Sequence, residues 1–282
     1  MKMRGSANQL VTCILTLVIF TGTTLTQSSD KRQFVQLQKK ILAETSAKKV
    51  GGNATCEEHN HYYYVSLVCM NGILDNDVVR QVHDSDLKTD DWPNFIYETK
   101  FKPKFYGIKF DSIGISPTEM KVEQNSTGIS NTVQILPLSV ERNRLNIKYT
   151  GTEKFVAIQW PDLQVTSNKK QHTAKVIVVV YSDGRITIFY EDIPTEIDSK
   201  DLISTMTLKG EIYGSYEVLS KISIPAEKIK TGTVVHLTPA PKYCSKETSE
   251  QACRDASIHG VECYWCIKPE ICTNKVDTNA YI

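Results

Sequence analysis

The sequence lacks the features that most directly mark a membrane span or a common enzyme class. Its longest N-terminal apolar run, from Leu10 to Phe20, falls short of the roughly 20 residues that a transmembrane helix needs. It also lacks the G-x-S-x-G, H-E-x-x-H and P-loop motifs, so no motif identifies a hydrolase nucleophile, a zinc protease centre or a nucleotide site. With 33 Lys and Arg against 32 Asp and Glu, the chain has no strongly basic field, and we expect no nucleic-acid partner.

The first 24 residues have the pattern of a secretory signal peptide. Lys2 and Arg4 precede the short apolar run, and small residues cluster at the expected cleavage site near Thr23 and Thr24. Two N-glycosylation triplets, at Asn53 and Asn125, are consistent with this route. We therefore expect a secreted or extracellular glycoprotein with both triplets in exposed loops.

Residues 25–55 form a segment of different composition, which we expect to be a basic, partly helical N-terminal arm. Six Lys and Arg and two Asp and Glu lie between Asp30 and Lys49, and apolar residues recur there at helical spacing. Such a segment could contact a polyanion, such as a glycosaminoglycan or lipid headgroups. The alternative is a solvated, partly ordered arm without a ligand.

Residues 56–241 are predicted to form an antiparallel β-sandwich-like domain, because short runs of β-branched and aromatic residues recur about every ten residues between Gly, Pro and Asn. The stretch from His61 to Met70 is predicted as one strand. The clearest pattern, from Ala174 to Asp192, predicts a hairpin with a type I′ turn at Asp183-Gly184. That turn would place Tyr181, Val179 and Ile177 opposite Ile186, Ile188 and Tyr190 on one apolar face.

The last segment, residues 242–282, is rich in cysteine and indicates a small disulfide-stabilised module. Cys263 and Cys266 form a C-x-x-C pattern, but the βαβ context of a redox site is absent and an oxidising compartment disfavours zinc. Structural disulfides are therefore the preferred interpretation. Five cysteines fall in this segment: Cys244, Cys253, Cys263, Cys266 and Cys272.

The run Cys263-Tyr264-Trp265-Cys266, followed by Cys272, resembles the PSI module, or plexin repeat. Together with several upstream pieces it makes residues 59–272 resemble the plexin domain-containing proteins, the tumour endothelial marker family. This resemblance implies a type I surface protein with a nidogen-like β ectodomain and a PSI module that binds extracellular protein or matrix ligands. The upstream pieces are His59 to Ser66, Phe105-Tyr106-Gly107, Ile135 to Leu138, Val156 to Trp160, Asp183 to Ile186, and Leu237 to Pro241.

The chain departs from this family pattern. It contains no transmembrane segment after the PSI module, which we interpret as a short secreted form or as a sequence cut early. The PSI module is incomplete, and the family pairing implies the bonds Cys244–Cys263 and Cys253–Cys272. Cys56 and Cys69 remain as a natural pair. Cys266 is then expected to be unpaired once the signal peptide is removed, and its open thiol predicts a disulfide-linked dimer or a small-thiol cap. The alternative is a buried, inert thiol.

His59 and His61 lie two residues apart, so on a strand they would share a face and could reach one metal ion. A structural role is the alternative, and it is the one that the resemblance favours. We expect no metal, no cofactor and no catalytic residues. The predicted function is that of a non-catalytic binding module of a receptor or adhesion protein. The alternatives are a soluble matrix or decoy form of that module and a secreted hydrolase-like enzyme with carboxylates on loops.

Two features would distinguish these functions. An enzyme would need a pocket that brings two titratable groups within reach of each other. A binding module would show an exposed apolar or aromatic patch near a sheet edge or on loops.

Overall fold

The computed structural model describes residues 55–90, 95–106, 108–110, 112–126, 129–140, 145–212, 215–257 and 261–274. The predicted signal peptide, nearly all of the basic arm and the triplet at Asn53 lie outside these ranges. Residues 54–282 make one compact unit. The boundary predicted near residue 241 is thus a change of structure inside this unit, from sandwich strands to a cysteine-rich part.

The first nine described strands in chain order are β1 Thr55–Asn60, β2 Tyr64–Met70, β3 Leu87–Asp90, β4 Phe95–Glu98, β5 Lys104–Phe105, β6 Ile108–Lys109, β7 Ser112–Ile115, β8 Met120–Ser126 and β9 Ile129–Leu136. The next nine are β10 Leu145–Gly151, β11 Phe155–Ser167, β12 Lys170–Tyr181, β13 Ile186–Asp192, β14 Thr205–Ile212, β15 Ser215–Ser223, β16 Thr233–Pro239, β17 Tyr264–Cys266 and β18 Ile271–Thr273. Burial alternates with period 2 along strands such as β4 and β7, whereas the long central strands β11 and β12 are buried on both faces over much of their length.

Two short α-helices accompany these strands in the described residues. Helix α1, Asn76–His83, begins after Asp75, whose carboxylate accepts a hydrogen bond from the Asp77 backbone N–H at 2.9 Å. Its buried face, Val78 and Val82, packs on the outer side of strands β11 and β12. Helix α2, Glu250–Asp255, belongs to the cysteine-rich part. No described helix is long and apolar enough to cross a bilayer.

The strands form a mainly β, antiparallel sandwich, and this part of the fold prediction is confirmed together with the cysteine-rich part. The eight-stranded sheet has the order β1-β2-β16-β13-β12-β11-β10-β3, and the six-stranded sheet has the order β15-β14-β9-β8-β7-β4. One continuous apolar core fills the space between them. Trp160 of β11 crosses this core and donates its indole N–H to the Ser116 carbonyl oxygen at 3.0 Å.

The β12–β13 hairpin exists, but its predicted register is wrong by one residue. Val180 pairs with Ile186, not Tyr181, because the loop has three residues and is closed by the Tyr181 N–H donating to the Arg185 carbonyl oxygen at 2.9 Å. Gly184 alone adopts a positive φ in this loop, at 87°, whereas the type I′ turn needs two such residues. Because of the extra loop residue, each β13 residue pairs with the β12 residue that precedes its predicted partner. Val176, Val178 and Val180 therefore join the main core with Ile186, Ile188 and Tyr190.

The strand predicted from His61 to Met70 is present from Tyr64 to Met70, as the second strand of a hairpin. β1 and β2 pair from Thr55 opposite Met70 to Asn60 opposite Val65, and the chain reverses at residues 61–63. Tyr62 adopts a φ of 69° in this reversal, which is rare for a bulky side chain. The reversal itself contains no Gly, Pro or Asp. Asn60 precedes it, and the Asn60 side-chain oxygen accepts a hydrogen bond from the Tyr62 backbone N–H at 2.9 Å, as in an Asx turn.

The structure contains the three disulfides that were expected. Cys56 and Cys69 are directly opposite each other in the β1–β2 hairpin, and the other two bonds join Cys244 to Cys263 and Cys253 to Cys272. The last two bonds build a small core in the cysteine-rich part.

The expectation for Cys266 is wrong. Cys266 is also disulfide-bonded, and no described cysteine is free. A disulfide-linked dimer through Cys266 therefore lacks the open thiol on which it was based.

Candidate functional site

The candidate site is an aromatic edge of the sandwich, formed by Phe95, Ile96, Tyr97 and Tyr149. The first three belong to β4, the last strand of the six-stranded sheet, which pairs only with β7 among the described strands. Strand alternation places Phe95 and Tyr97 on the face that meets the other sheet and Ile96 on the opposite face. Phe95 and Tyr97 are half-buried, whereas the side chain of Ile96 is 69% exposed.

Tyr149 of β10 joins the two sheets at this edge. Its ring centroid lies 5.2 Å from that of Phe95 and 5.3 Å from that of Tyr97, where the two rings meet edge to face. These separations are in the range of favourable aromatic pairs. The three rings thus form one rigid surface whose outer side remains open to solvent.

Gly151 makes this ring arrangement possible. A Cβ atom at residue 151 would overlap the hydroxyl end of Tyr97, so the glycine leaves room for that ring. Burial raises the pKa of Tyr97, and the neighbouring Tyr149 raises it further. The Tyr97 hydroxyl is therefore neutral at physiological pH and can donate a hydrogen bond to a ligand.

His83 of α1 and Glu191 of β13 hold the helix on the sheet, and they are the closest imidazole–carboxylate pair in the described part of the chain. His83 Nε2 lies 3.0 Å from Glu191 Oε1, and the Gln159 amide donates to Glu191 Oε2 at 2.7 Å. The Lys148 ammonium donates to the His83 carbonyl oxygen. Glu191 of β13 thus lies between His83 of α1 and Gln159 of β11, so the seating of the helix on the sheet gives this group a structural explanation.

A second histidine, His236, lies on the outer face of the eight-stranded sheet. Its Nδ1 lies 3.1 Å from the Thr187 hydroxyl oxygen. Burial lowers the pKa of His236 to about 4, and the positive charge of Arg185 contributes to the same shift. The imidazole is therefore neutral at physiological pH.

Three sulfur atoms lie close together in the cysteine-rich part, but they are not available as metal ligands. The Sγ atoms of Cys244, Cys263 and Cys272 lie within 4.8 Å of one another, and each belongs to a disulfide. Cys263 is bonded to Cys244 and not to Cys266. The C-x-x-C pattern is therefore not a redox pair in this structure.

A cluster of tyrosines attaches the cysteine-rich part to the sandwich. The Tyr62 hydroxyl accepts a hydrogen bond from the Cys244 backbone N–H at 2.6 Å. The Tyr63 ring packs edge to face on Tyr62, Tyr106 and Tyr243, with centroid separations of 4.7, 5.1 and 5.4 Å. These contacts explain how Tyr62 keeps its left-handed backbone, since surrounding structure must hold a residue in such a conformation.

Comparison with protein-family models, with curated proteins and with solved structures found no match. The resemblance to the plexin domain-containing proteins therefore remains an expectation based on the motifs quoted above.

Of the two predicted glycosylation sites, only Asn125 lies in the described part of the chain. It belongs to β8 and pairs with Ser130 of β9, next to the end of that hairpin, so the backbone there is strand and not loop. The sequence did not identify the aromatic edge. Its signal was the alternation of aromatic and basic residues from Phe95 to Phe110, but alternation does not tell which strand lies at an edge.

Proposed function

We propose that this chain is a non-catalytic extracellular binding module of a cell-surface receptor or adhesion protein, and that it contacts a protein or matrix ligand through the aromatic edge. The observation that carries this proposal is the group of half-exposed rings of Phe95, Tyr97 and Tyr149 beside the exposed Ile96. Aromatic side chains dominate the energetics of protein interfaces. A rigid set of rings also loses little conformational entropy when it binds.

The covalent structure supports an extracellular setting. Disulfides persist in oxidising compartments and are rare in the cytosol, and the described residues contain three with identified partners. The signal peptide and the two glycosylation triplets point to the same compartment. A soluble matrix or decoy form would use the same surface, so the proposal applies to either form.

The hydrolase alternative has no comparable support in the described residues. Its carboxylate–imidazole candidate, Glu191 with His83, is explained by the anchoring of α1. We therefore retain the binding function and do not propose the hydrolase.

The experiment compares two surface variants of the secreted protein in a flow-cytometric cell-binding assay. Ile96→Glu places a charge on the aromatic edge. The matched control Val218→Glu places one on β15, the opposite edge strand of the same sheet, where Val218 is 59% exposed. We expect Ile96→Glu to reduce binding by roughly tenfold or more, as for a central interface residue, and Val218→Glu to leave it unchanged.

Thermal unfolding of both variants controls for folding. Equal binding by the parent and Ile96→Glu would contradict the proposal, as would an equal loss for the two variants. The same assay on plates coated with matrix extract tests whether the ligand is a matrix component.

Contact of the basic arm with a polyanion is a separate proposal, motivated by the charge of residues 30–49. Retention of the secreted protein on a heparin column should fall steeply with salt and should weaken when residues 30–49 are deleted. Equal retention before and after the deletion would contradict it.

A further inference from the structure

The opposite end of the sandwich carries a pair of histidines that no part of the proposed function uses. β1 is the edge strand of the eight-stranded sheet there, with His59 opposite Ser66 and Glu57 opposite Val68. The His61 backbone N–H donates to the Tyr64 carbonyl oxygen at 2.8 Å, which extends the same alternation by one residue pair. Glu57, His59 and His61 therefore share the face of β1 that turns toward the core.

The two imidazole rings stand close enough to share a ligand. Their centroids are 6.4 Å apart and their planes are tilted by 40°. A zinc–nitrogen bond of about 2.0–2.1 Å would place two imidazoles on one tetrahedral ion with centroids about 5–6 Å apart. Small side-chain rotations are enough to close that difference.

The nitrogen Nε2 of His59 is buried and has no hydrogen-bond partner in the described part of the protein. A buried polar atom without a partner is unusual in folded proteins, and a bound ion is one of its ordinary explanations. The lone pair of this nitrogen is therefore available to coordinate a metal ion. The sequence could not reveal this, because spacing alone does not tell whether an imidazole is satisfied.

His61 has a partner that would orient it for metal binding. Its Nε2 lies 2.8 Å from the hydroxyl oxygen of Ser66, and Ser66 is only 1% exposed. This contact leaves Nδ1 of His61 for a metal ion. Histidine ligands commonly use their second nitrogen in this way, to fix the tautomer and the ring orientation.

Glu57 provides an oxygen on the same face. Its Oε1 is paired with the Lys228 ammonium, and its side chain is 53% exposed, so rotation can bring the carboxylate toward the rings. Two imidazoles and a carboxylate are a ligand set for borderline divalent ions such as Zn²⁺ and Cu²⁺, whereas Ca²⁺ and Mg²⁺ prefer oxygen alone.

We propose that His59 and His61, with Glu57 as a third and weaker ligand, form a binding site for a divalent transition-metal ion at the β1 edge. The site is independent of the aromatic edge, which adjoins β10 near the other end of the eight-stranded sheet. If the protein proves not to bind a metal ion there, the proposed binding function is unaffected.

The test uses the secreted protein, stripped of metal by a chelator and freed of any histidine tag. Zn²⁺ is titrated calorimetrically, and Co²⁺ is titrated while its visible absorption is recorded. We expect one ion per chain, no response to Ca²⁺, and a loss of affinity of at least about tenfold in His59→Gln and in His61→Gln. Glu57→Gln should have a smaller effect.

His172→Gln is the matched control, because His172 lies on β12 opposite Val165, away from β1. It should bind Zn²⁺ like the parent protein. Zn²⁺ should also raise the melting temperature of the parent and of His172→Gln, but not of His59→Gln.

Absence of saturable Zn²⁺ and Co²⁺ binding by the parent would overturn the proposal. Equal binding by the parent, His59→Gln and His61→Gln would overturn it as well, and the pair would then have only a structural role in the hairpin. Because each variant is compared through its own melting curve, a variant that merely loses stability is distinguished from one that loses the ion.

Discussion

Substitution of Gly184 by alanine tests the close packing of the β12–β13 turn. Gly184 has a φ of 87°, and its N–H donates to the Tyr181 carbonyl oxygen at 3.0 Å. Its own carbonyl oxygen accepts the buried hydroxyl of Tyr64 at 3.2 Å. A Cβ at this position would overlap the carbonyl oxygen of Lys104 and would lie 3.3 Å from Pro239 Cγ.

Two effects add at this position. The left-handed backbone costs an alanine about 1 kcal/mol relative to glycine. The overlap adds about 1–3 kcal/mol, the usual cost of overpacking, because the obstructing atom belongs to the backbone and cannot rotate away. We therefore expect Gly184→Ala to lower the free energy of unfolding by about 2–4 kcal/mol.

Gly232 provides a matched control. Its φ is 80°, but nothing lies within 4 Å of a Cβ built there, so Gly232→Ala should lose only the backbone contribution of about 1 kcal/mol. For a domain of this size, that is a fall in melting temperature of about 2–4 °C, and the fall for Gly184→Ala should be two to four times as large.

Urea or thermal unfolding of both variants, with disulfides intact, measures the two losses. Equal losses would refute the close approach of the turn to Lys104. An unchanged stability of both variants would refute the left-handed assignment of the two glycines.

Three further predictions concern other parts of the molecule. Burial holds the pKa of His236 at about 4, below its ordinary value of 6.5, so the unfolded chain takes up this proton first as the pH falls. His236→Gln should therefore remove part of the loss in unfolding free energy between pH 6.5 and about 4. Urea-unfolding profiles of the parent and the variant that run parallel over this pH range would contradict this. Tyr62→Phe removes the acceptor of the Cys244 N–H and should cost about 1–3 kcal/mol in thermal unfolding, whereas an unchanged melting temperature would show that this bond does not stabilise the junction. Digestion of the secreted protein with an N-glycosidase should lower its mass by two glycans, and retention of one glycan in each of Asn53→Gln and Asn125→Gln would assign them.

Several parts of the fold could be predicted from the sequence because they depend on neighbouring residues alone. Period-2 alternation and turn residues about every ten positions are local properties, and they were enough to predict an antiparallel β-sandwich. The resemblance to the PSI module implied the bonds Cys244–Cys263 and Cys253–Cys272, and the structure contains both.

Other features were decided by contacts between residues far apart in the chain. The β12–β13 loop has one residue more than the type I′ turn would have, and Gly184 of this loop packs against Lys104 and Tyr64, which are distant in sequence. The chain reversal at Tyr62 has Asn60 as its only local turn signal, and it is also held by the hydrogen bond to Cys244, 182 positions away.

The two proposed sites show the same division. The sequence showed that Phe95 and Tyr97 alternate and that His59 and His61 share a face. Only the strand order of the two sheets leaves the rings at an edge, and only the packed β1–β2 hairpin buries a nitrogen of His59 without a partner. Exposure and hydrogen-bond satisfaction depend on the packing of the whole chain, so the residue pattern determined the elements and the tertiary structure decided which of them can bind.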